Sequence, residues 1–196
     1  MRYVFDHDYH IHSKLSTCSR DEAQNAERIL QYALDNGLKR ICVTDHFWDS
    51  EVAGASDWYK PQNFEHITKI LPLPKADGVD FMFGAETEMD KSFTIGATAK
   101  SIDKLDFIIV PTTHLNNVGF GIDEELAKSP EGRAKTWLLK VNALLDKKLP
   151  FLLMPAMLYI IEVSKASSLD NGTIMSLAAF AIKVFPQPTA PMSKIL

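Results

Sequence analysis

A chain of 196 residues, 46% of them hydrophobic and 23% charged, has the composition of a soluble globular protein, which excludes a disordered tract or a fibrous repeat; one domain is the expectation at this length. A formal net charge of -4 argues against nucleic acid held by counterion release, which requires a basic face. Cys18 and Cys42 lie on different backgrounds, a polar turn and an apolar run, and do not suggest a disulfide framework. The opening residues MRYVFDHDYHIH lack the apolar stretch of a signal peptide, so a cytoplasmic protein with no membrane partner is expected.

Short apolar runs alternate with helix-length amphipathic segments as far as Leu149, the pattern of βα units on a parallel sheet. The first strand is predicted from Tyr3 to His12, then a polar turn, then a helix with Ala26, Ile29, Leu30, Ala33 and Leu34 on one face, ended by Asn36-Gly37. Arg40 to His46 reads as a short apolar strand with a polar end, followed by a long loop through Trp48 to Pro61. A helix is expected over 62–71, strands over 79–86 and 107–110, and a helix over 129–148 with Ala134, Trp137, Leu138, Val141, Leu144 and Leu145 on its apolar face. Past Pro150 the texture changes: residues 150–196 hold no histidine and few charges. They are expected to be an atypical ending of the same domain or a diverged, even out-of-frame, tail.

The chemistry gathers at strand ends. His10-Ile11-His12 puts two imidazoles on one face of a strand, because side chains alternate with period two. Alone, such a pair is more often two exposed histidines than a chelate. Thr44-Asp45-His46, Gly84-Ala85-Glu86 and Thr112-Thr113-His114 close the next three strands, so four consecutive units offer a ligand at the end where parallel barrels build their active sites. Glu88, two residues past Glu86, shares its strand face and competes for the same role. His7 and His66 read as surface histidines, and Lys91 and Arg133 as solvated charge. Trp48, Trp58 and Tyr59 on the long loop read either as a substrate lid or as packing beneath the loop.

In order and spacing, Asp8-Tyr9-His10-Ile11-His12-Ser13, Ser16-Thr17-Cys18, Val43-Thr44-Asp45-His46, Gly84-Ala85-Glu86 and Thr113-His114 resemble the motifs of the PHP (polymerase and histidinol phosphatase) family, nearest its histidinol-phosphatase-like branch. The resemblance spans residues 6–148. It implies a distorted (β/α)7 barrel, here incomplete toward the C-terminus, and a metal-dependent phosphatase that hydrolyses a small phosphate monoester by metal-activated water. It also implies His10 and His12 on a first metal, Glu86 bridging first and second, His114 on the second and His46 on the third, with Cys18 where the family places another third-metal ligand. Divalent zinc, manganese or iron suits imidazole with carboxylate, and a thiolate at Cys18 favours zinc; Cys18 is as readily a plain turn cysteine. Asp8 and Asp45, beside ligand histidines, are candidates to accept the second ring N–H, or simply to cap turns.

The family pattern also carries a later histidine and a C-terminal Asp-x-His, whereas no histidine follows His114 and Asp170 is followed by Asn171-Gly172. Fewer than the family's three metals are therefore expected, with activity weakened accordingly. The competing expectation is a catalytically impaired PHP remnant that serves as a binding or regulatory module. An amidohydrolase of the wider barrel group, which also opens on His-x-His, would need a mid-strand lysine and a late aspartate, neither of which is evident.

Overall fold

The computed structural model describes residues 5–19, 21–106, 108–147 and 151–154, within one compact unit, Met1–Met154. The expectations for 155–196, the tail and Asp170 among them, lie outside the described residues. Within the unit, mixed α/β structure is built on a five-stranded parallel sheet: β1 (His7–Ile11), β2 (Arg40–Phe47), β3 (Asp80–Thr87), β4 (Ile108–Pro111) and β5 (Phe151–Met154). The strands lie side by side in chain order. Each new unit therefore adds its strand on the same side of the last, an arrangement consistent with part of an α/β barrel. β5 was not expected, because 151–154 is apolar and carries none of the polar residues that end the other strands.

Helix boundaries follow local chemistry. The helix α1 (Ala26–Asp35) starts at Asn25, whose side chain accepts from the backbone N–H of Arg28, and ends at Asn36. Gly37 then takes φ 66°, the left-handed conformation that glycine reaches without penalty. The helix expected over 62–71 is shorter: α2 (Phe64–Ile67), capped by the Asn63 side chain, runs into a single 3-10 turn, Thr68–Ile70. A further short helix, α3 (Ala99–Ile102), carries a reciprocal capping box between Thr98 and Ser101. The long helix α4 (Pro130–Asp146) begins at Ser129, which accepts from Gly132 N–H, with proline in its first turn where no hydrogen-bonding N–H is needed.

Parallel register sorts the side chains onto two faces. Ala85 pairs with Ile108 and Glu86 with Ile109, and neighbours in register project to the same side. One face carries Ile41, Val43, Phe83 and Ala85, packed against Ile29 and Ala33 of α1 and Ile67 of α2. It continues through Ile108 and Val110 against Ile102 of α3 and Leu144 of α4. Each of the larger side chains among these, Ile, Val, Leu or Phe, stabilises the fold by about 1.5–3 kcal/mol. The opposite face receives Thr44, His46, Gly84 and Glu86. All four helices thus cover one side and leave the other for chemistry.

The apolar face predicted for α4 holds at Leu144, which is buried, and needs correction at Leu138. Leu138 and Leu139 are exposed, while the buried stripe is Gly132, Thr136, Lys140 and Leu144. Ala134, Trp137, Val141 and Leu145 are partly buried as expected, and the helix also turns a lysine inward. No helix among the described residues is long and apolar enough to cross a membrane.

The loop after β2 is packed by its own aromatics. Trp48 is 1% exposed, donates its indole N–H to the Val52 carbonyl at 2.9 Å and lies against Tyr59 and Phe120. Of the two readings for this loop, Trp48 and Tyr59 take the packing one. The backbone of Gly96 passes so close that a Cβ there would strike the Trp48 ring and Thr87 Oγ1. Gly96→Ala is therefore expected to lower stability by about 1–3 kcal/mol through overpacking. Denaturant unfolding with an unchanged midpoint would contradict that close approach.

Candidate metal centre

The register of β2 and β3 makes His46 and Glu86 direct neighbours, and period-two alternation in β1 sends Ile11 to the core while His10 and His12 face the other way. Three strands thereby deliver their ends to one point. His10 Nε2, His12 Nε2 and His46 Nδ1 lie 3.2, 3.1 and 3.0 Å from a single oxygen, Glu86 Oε2. His10 Nε2 and His12 Nε2 are themselves 3.0 Å apart. His114 approaches the other oxygen, with Nε2 3.8 Å from Glu86 Oε1. The residues at the four strand ends therefore meet as the spacing implied, with Glu86 at the centre.

These contacts fit metal ligation better than hydrogen bonding. Glu86 is 0% exposed, yet neither of its carboxylate oxygens accepts a hydrogen bond of good geometry, and His46 Nδ1 is likewise buried without a hydrogen-bond partner. Orphaned buried carboxylate oxygens are rare because their desolvation is costly. Atoms that share one divalent ion at about 2.0–2.1 Å lie about 3.0–3.4 Å from each other, close to the separations found here. Two groups could hold an ion: His10, His12 and Glu86, and His12, Cys18 and His46, each with ligand atoms within 4.8 Å of one another. His46 was expected apart from the first pair; it shares both their carboxylate oxygen and, through His12, their ligand groups. The turn after β1 is tight enough to fold Cys18 back toward β2.

Electrostatics suit the same role. Burial pushes His46 down to about 4, against the pull of the Glu86 carboxylate, so its lone pair is free at neutral pH. Burial works against the charge of Glu86, but His10, His12 and His46 outweigh it and hold the group well below the usual carboxylate range. Burial and the nearby Glu86 charge raise the Cys18 thiol; it is protonated at neutral pH unless an ion displaces the proton.

Asp8 and Asp45 do not accept ring N–H groups as proposed from their position beside the histidines. Asp8 Oδ1 takes the backbone N–H of His10 at 3.2 Å, the turn-capping role. Asp45, 2% exposed, accepts the Ser13 backbone N–H and hydroxyl at 2.6 Å each and the Ser16 hydroxyl at 2.8 Å. Its influence on the cluster passes through Ser16, which also lies 2.9 Å from His12 Nδ1 and accepts the His46 backbone N–H at 3.0 Å. An ionised Asp45 cannot donate, so Ser16 gives it its only proton and must accept from His12. That leaves His12 protonated at Nδ1 and its Nε2 lone pair directed at Glu86.

Other candidates resolve as ordinary structure. His7 is exposed beside Asp6, and His66 Nε2 meets the Leu15 carbonyl at 2.8 Å, pinning α2 to the turn after β1. Arg133 donates to the Leu115 carbonyl instead of waiting for an anion. Trp58 remains 41% exposed with its ring edge-on to His46, centroids 4.7 Å apart, so it forms the rim of the cluster. Two residues escaped the sequence reading of the site. Glu88 was set aside as a rival of Glu86 but holds His114 Nδ1 at 2.8 Å, and Lys140 lies buried beside it. Glu88's period-two relation to Glu86 was the available signal; Lys140 had none. No family model matches the chain, and no curated protein matches it.

Proposed function

We propose that this chain is a PHP-type metal-dependent phosphoesterase, most like histidinol phosphatase, that hydrolyses a small phosphate monoester, and that its sheet is part of a distorted (β/α)7 barrel. The observation that carries the reading is the convergence of His10, His12 and His46 nitrogens on a buried Glu86 oxygen that accepts no hydrogen bond of good geometry.

In this reading His10, His12, His46, Glu86 and His114 hold zinc, manganese or iron, with Cys18 at the edge of the set. A bound divalent ion supplies Lewis-acid polarisation of a phosphoryl oxygen and lowers the pKa of an attacking water. The chain's own part is preorganisation. Glu86 presents one oxygen to three imidazoles and the other to His114, so a single carboxylate spans the whole cluster. Ser16 and Asp45 keep His12 in the tautomer whose Nε2 is free, and burial keeps His46 neutral. Trp58 borders the opening, where a substrate's organic portion would rest while its phosphate faces the ligands. Lys140 argues against the amidohydrolase reading, since its amine is engaged by the Met89 carbonyl at 2.6 Å and does not stand at a strand end.

The test is elemental analysis of the full chain after loading with zinc or manganese, paired with assays on histidinol phosphate and p-nitrophenyl phosphate. Bound metal with metal-dependent release of phosphate is expected. Metal binding without hydrolysis of either ester would favour the regulatory module, and absence of metal binding would sink both readings.

A further inference from the structure

Lys140 is the one fully buried lysine among the described residues. An amine taken out of water is costly unless something compensates it, so its position asks for a reason. Its Nζ donates to the Met89 carbonyl at 2.6 Å and lies 3.8 Å from Glu88 Oε1. Glu88, 1% exposed, takes the Met89 backbone N–H on that same Oε1 at 3.0 Å. Its other oxygen, Oε2, faces His114 Nδ1 at 2.8 Å. The far side of that ring, Nε2, points toward Glu86 Oε1. A continuous line of contacts thus runs from buried Lys140 and Glu88, through the part-exposed His114 ring, to the cluster.

The same helix grips the segment that carries His114 at two further points. The Trp137 indole N–H donates to Thr112 Oγ1 at 3.1 Å, and Arg133 donates to the Leu115 carbonyl. Gly121 keeps the space open, for a Cβ there would lie 3.5 Å from Lys140 Nζ and 2.9 Å from the His114 carbonyl. Three side chains of α4, spaced along one face, therefore bracket one histidine.

We propose that Lys140 and Glu88 are positioning residues that fix the tautomer of His114, with Glu88 accepting from Nδ1–H so that the Nε2 lone pair is presented beside Glu86. The proposal rests on the metal-centre reading for its purpose, but the tautomer itself is a property of the metal-free protein. The logic is one of proton counting. Glu88 Oε1 is committed to Met89 N–H and the Lys140 ammonium, and an ionised carboxylate has no proton to offer His114. The imidazole must therefore donate from Nδ1. Second partners of this kind orient a ligand ring, and their loss typically weakens metal affinity about ten- to a hundred-fold.

Glu88→Gln gives a sharp test, because its amide should keep the carbonyl oxygen toward Met89 N–H and Lys140 and turn its NH2 toward His114. Nδ1 must then accept, and the proton moves to Nε2, the atom facing Glu86. Nitrogen-15 NMR of the imidazoles in the metal-free full chain, at a pH where the ring is neutral, should show His114 protonated at Nδ1 in the wild type and at Nε2 in E88Q. Zinc affinity, measured by competition with a chelator, should fall ten- to a hundred-fold in E88Q. Lys140→Met, which keeps the length of the stem and leaves the Glu88 carboxylate as the acceptor, should keep His114 protonated at Nδ1 and lose less affinity through looser positioning; if E88Q does not fold, a K140M chain with His114 protonated at Nε2 overturns the proposal. An Nδ1-protonated His114 in E88Q, or a wild type already protonated at Nε2, overturns the proposal. A wild type that binds no zinc refutes the metal-centre reading alone, since the NMR comparison still decides the tautomer.

Discussion

Glu86→Gln is expected to abolish tight metal binding, with affinity for zinc or manganese falling more than about a hundred-fold and ester hydrolysis dropping below detection. The substitution keeps the shape of the side chain and removes its charge. In the wild type one Glu86 oxygen stands 3.0–3.2 Å from three imidazole nitrogens, and the other stands near His114, so this one carboxylate reaches all four histidines. An amide nitrogen has no lone pair to offer a cation, and in either orientation Gln forfeits one of the two ligand positions. The measurement is metal-induced stabilisation. Ligand at about 100 times its dissociation constant raises the stability of a protein by about 2.7 kcal/mol, and this increment should vanish in E86Q while the metal-free protein still unfolds cooperatively. An undiminished increment in E86Q would show that metal, if bound, sits elsewhere.

Asp45→Ala is expected to cost about 3–5 kcal/mol of stability, a large share of the roughly 5–15 kcal/mol available to a domain of ordinary stability. Asp45 receives three donors, the Ser13 N–H, the Ser13 hydroxyl and the Ser16 hydroxyl, all in a buried setting. Alanine leaves them without their acceptor and unties the turn after β1 from β2. Ser16→Ala separates the structural from the functional part of this knot. It removes one hydroxyl, at about 1 kcal/mol of stability, and deprives His12 Nδ1 of its partner. Metal affinity should then fall at least ten-fold. Urea unfolding and metal titration of the two variants check the pair. If S16A binds metal as tightly as the wild type, Ser16 does not set the His12 tautomer.

Much of the arrangement is legible from residue order alone because parallel strands impose a simple rule. Each strand alternates its faces and each βα unit returns the chain to the same edge, so His10-x-His12, His46, Glu86 and His114 must come together once the strands are adjacent and in register. The register itself is equally readable in part: Ile41 and Val43, and Phe83 and Ala85, need the helix-covered face, and a slip of one residue would drive them out and turn His46 and Glu86 inward. The N-caps Asn25, Asn63 and Ser129 mark three helix starts by a local signal that apolar spacing alone leaves unused. The predicted apolar face of α4 holds at Leu144 but misses at Leu138 and omits Lys140, because a hydrophobic pattern counts transfer free energies one residue at a time. It does not see that a buried carboxylate across the interface rewards a buried lysine more than it would a leucine.

What the sequence by itself determined is therefore the inventory of candidate ligands and the edge of the sheet on which it stands, since both follow from strand periodicity and the order of the units. The tertiary structure decided the rest: that His46 shares the carboxylate oxygen of the first pair, that Asp45 acts through Ser16, and that Glu88 and Lys140 back His114. Those contacts join residues 26 or more positions apart in the chain. They depend on the angles at which loops leave the strands and on which partner satisfies each buried proton, and only the assembled packing specifies either.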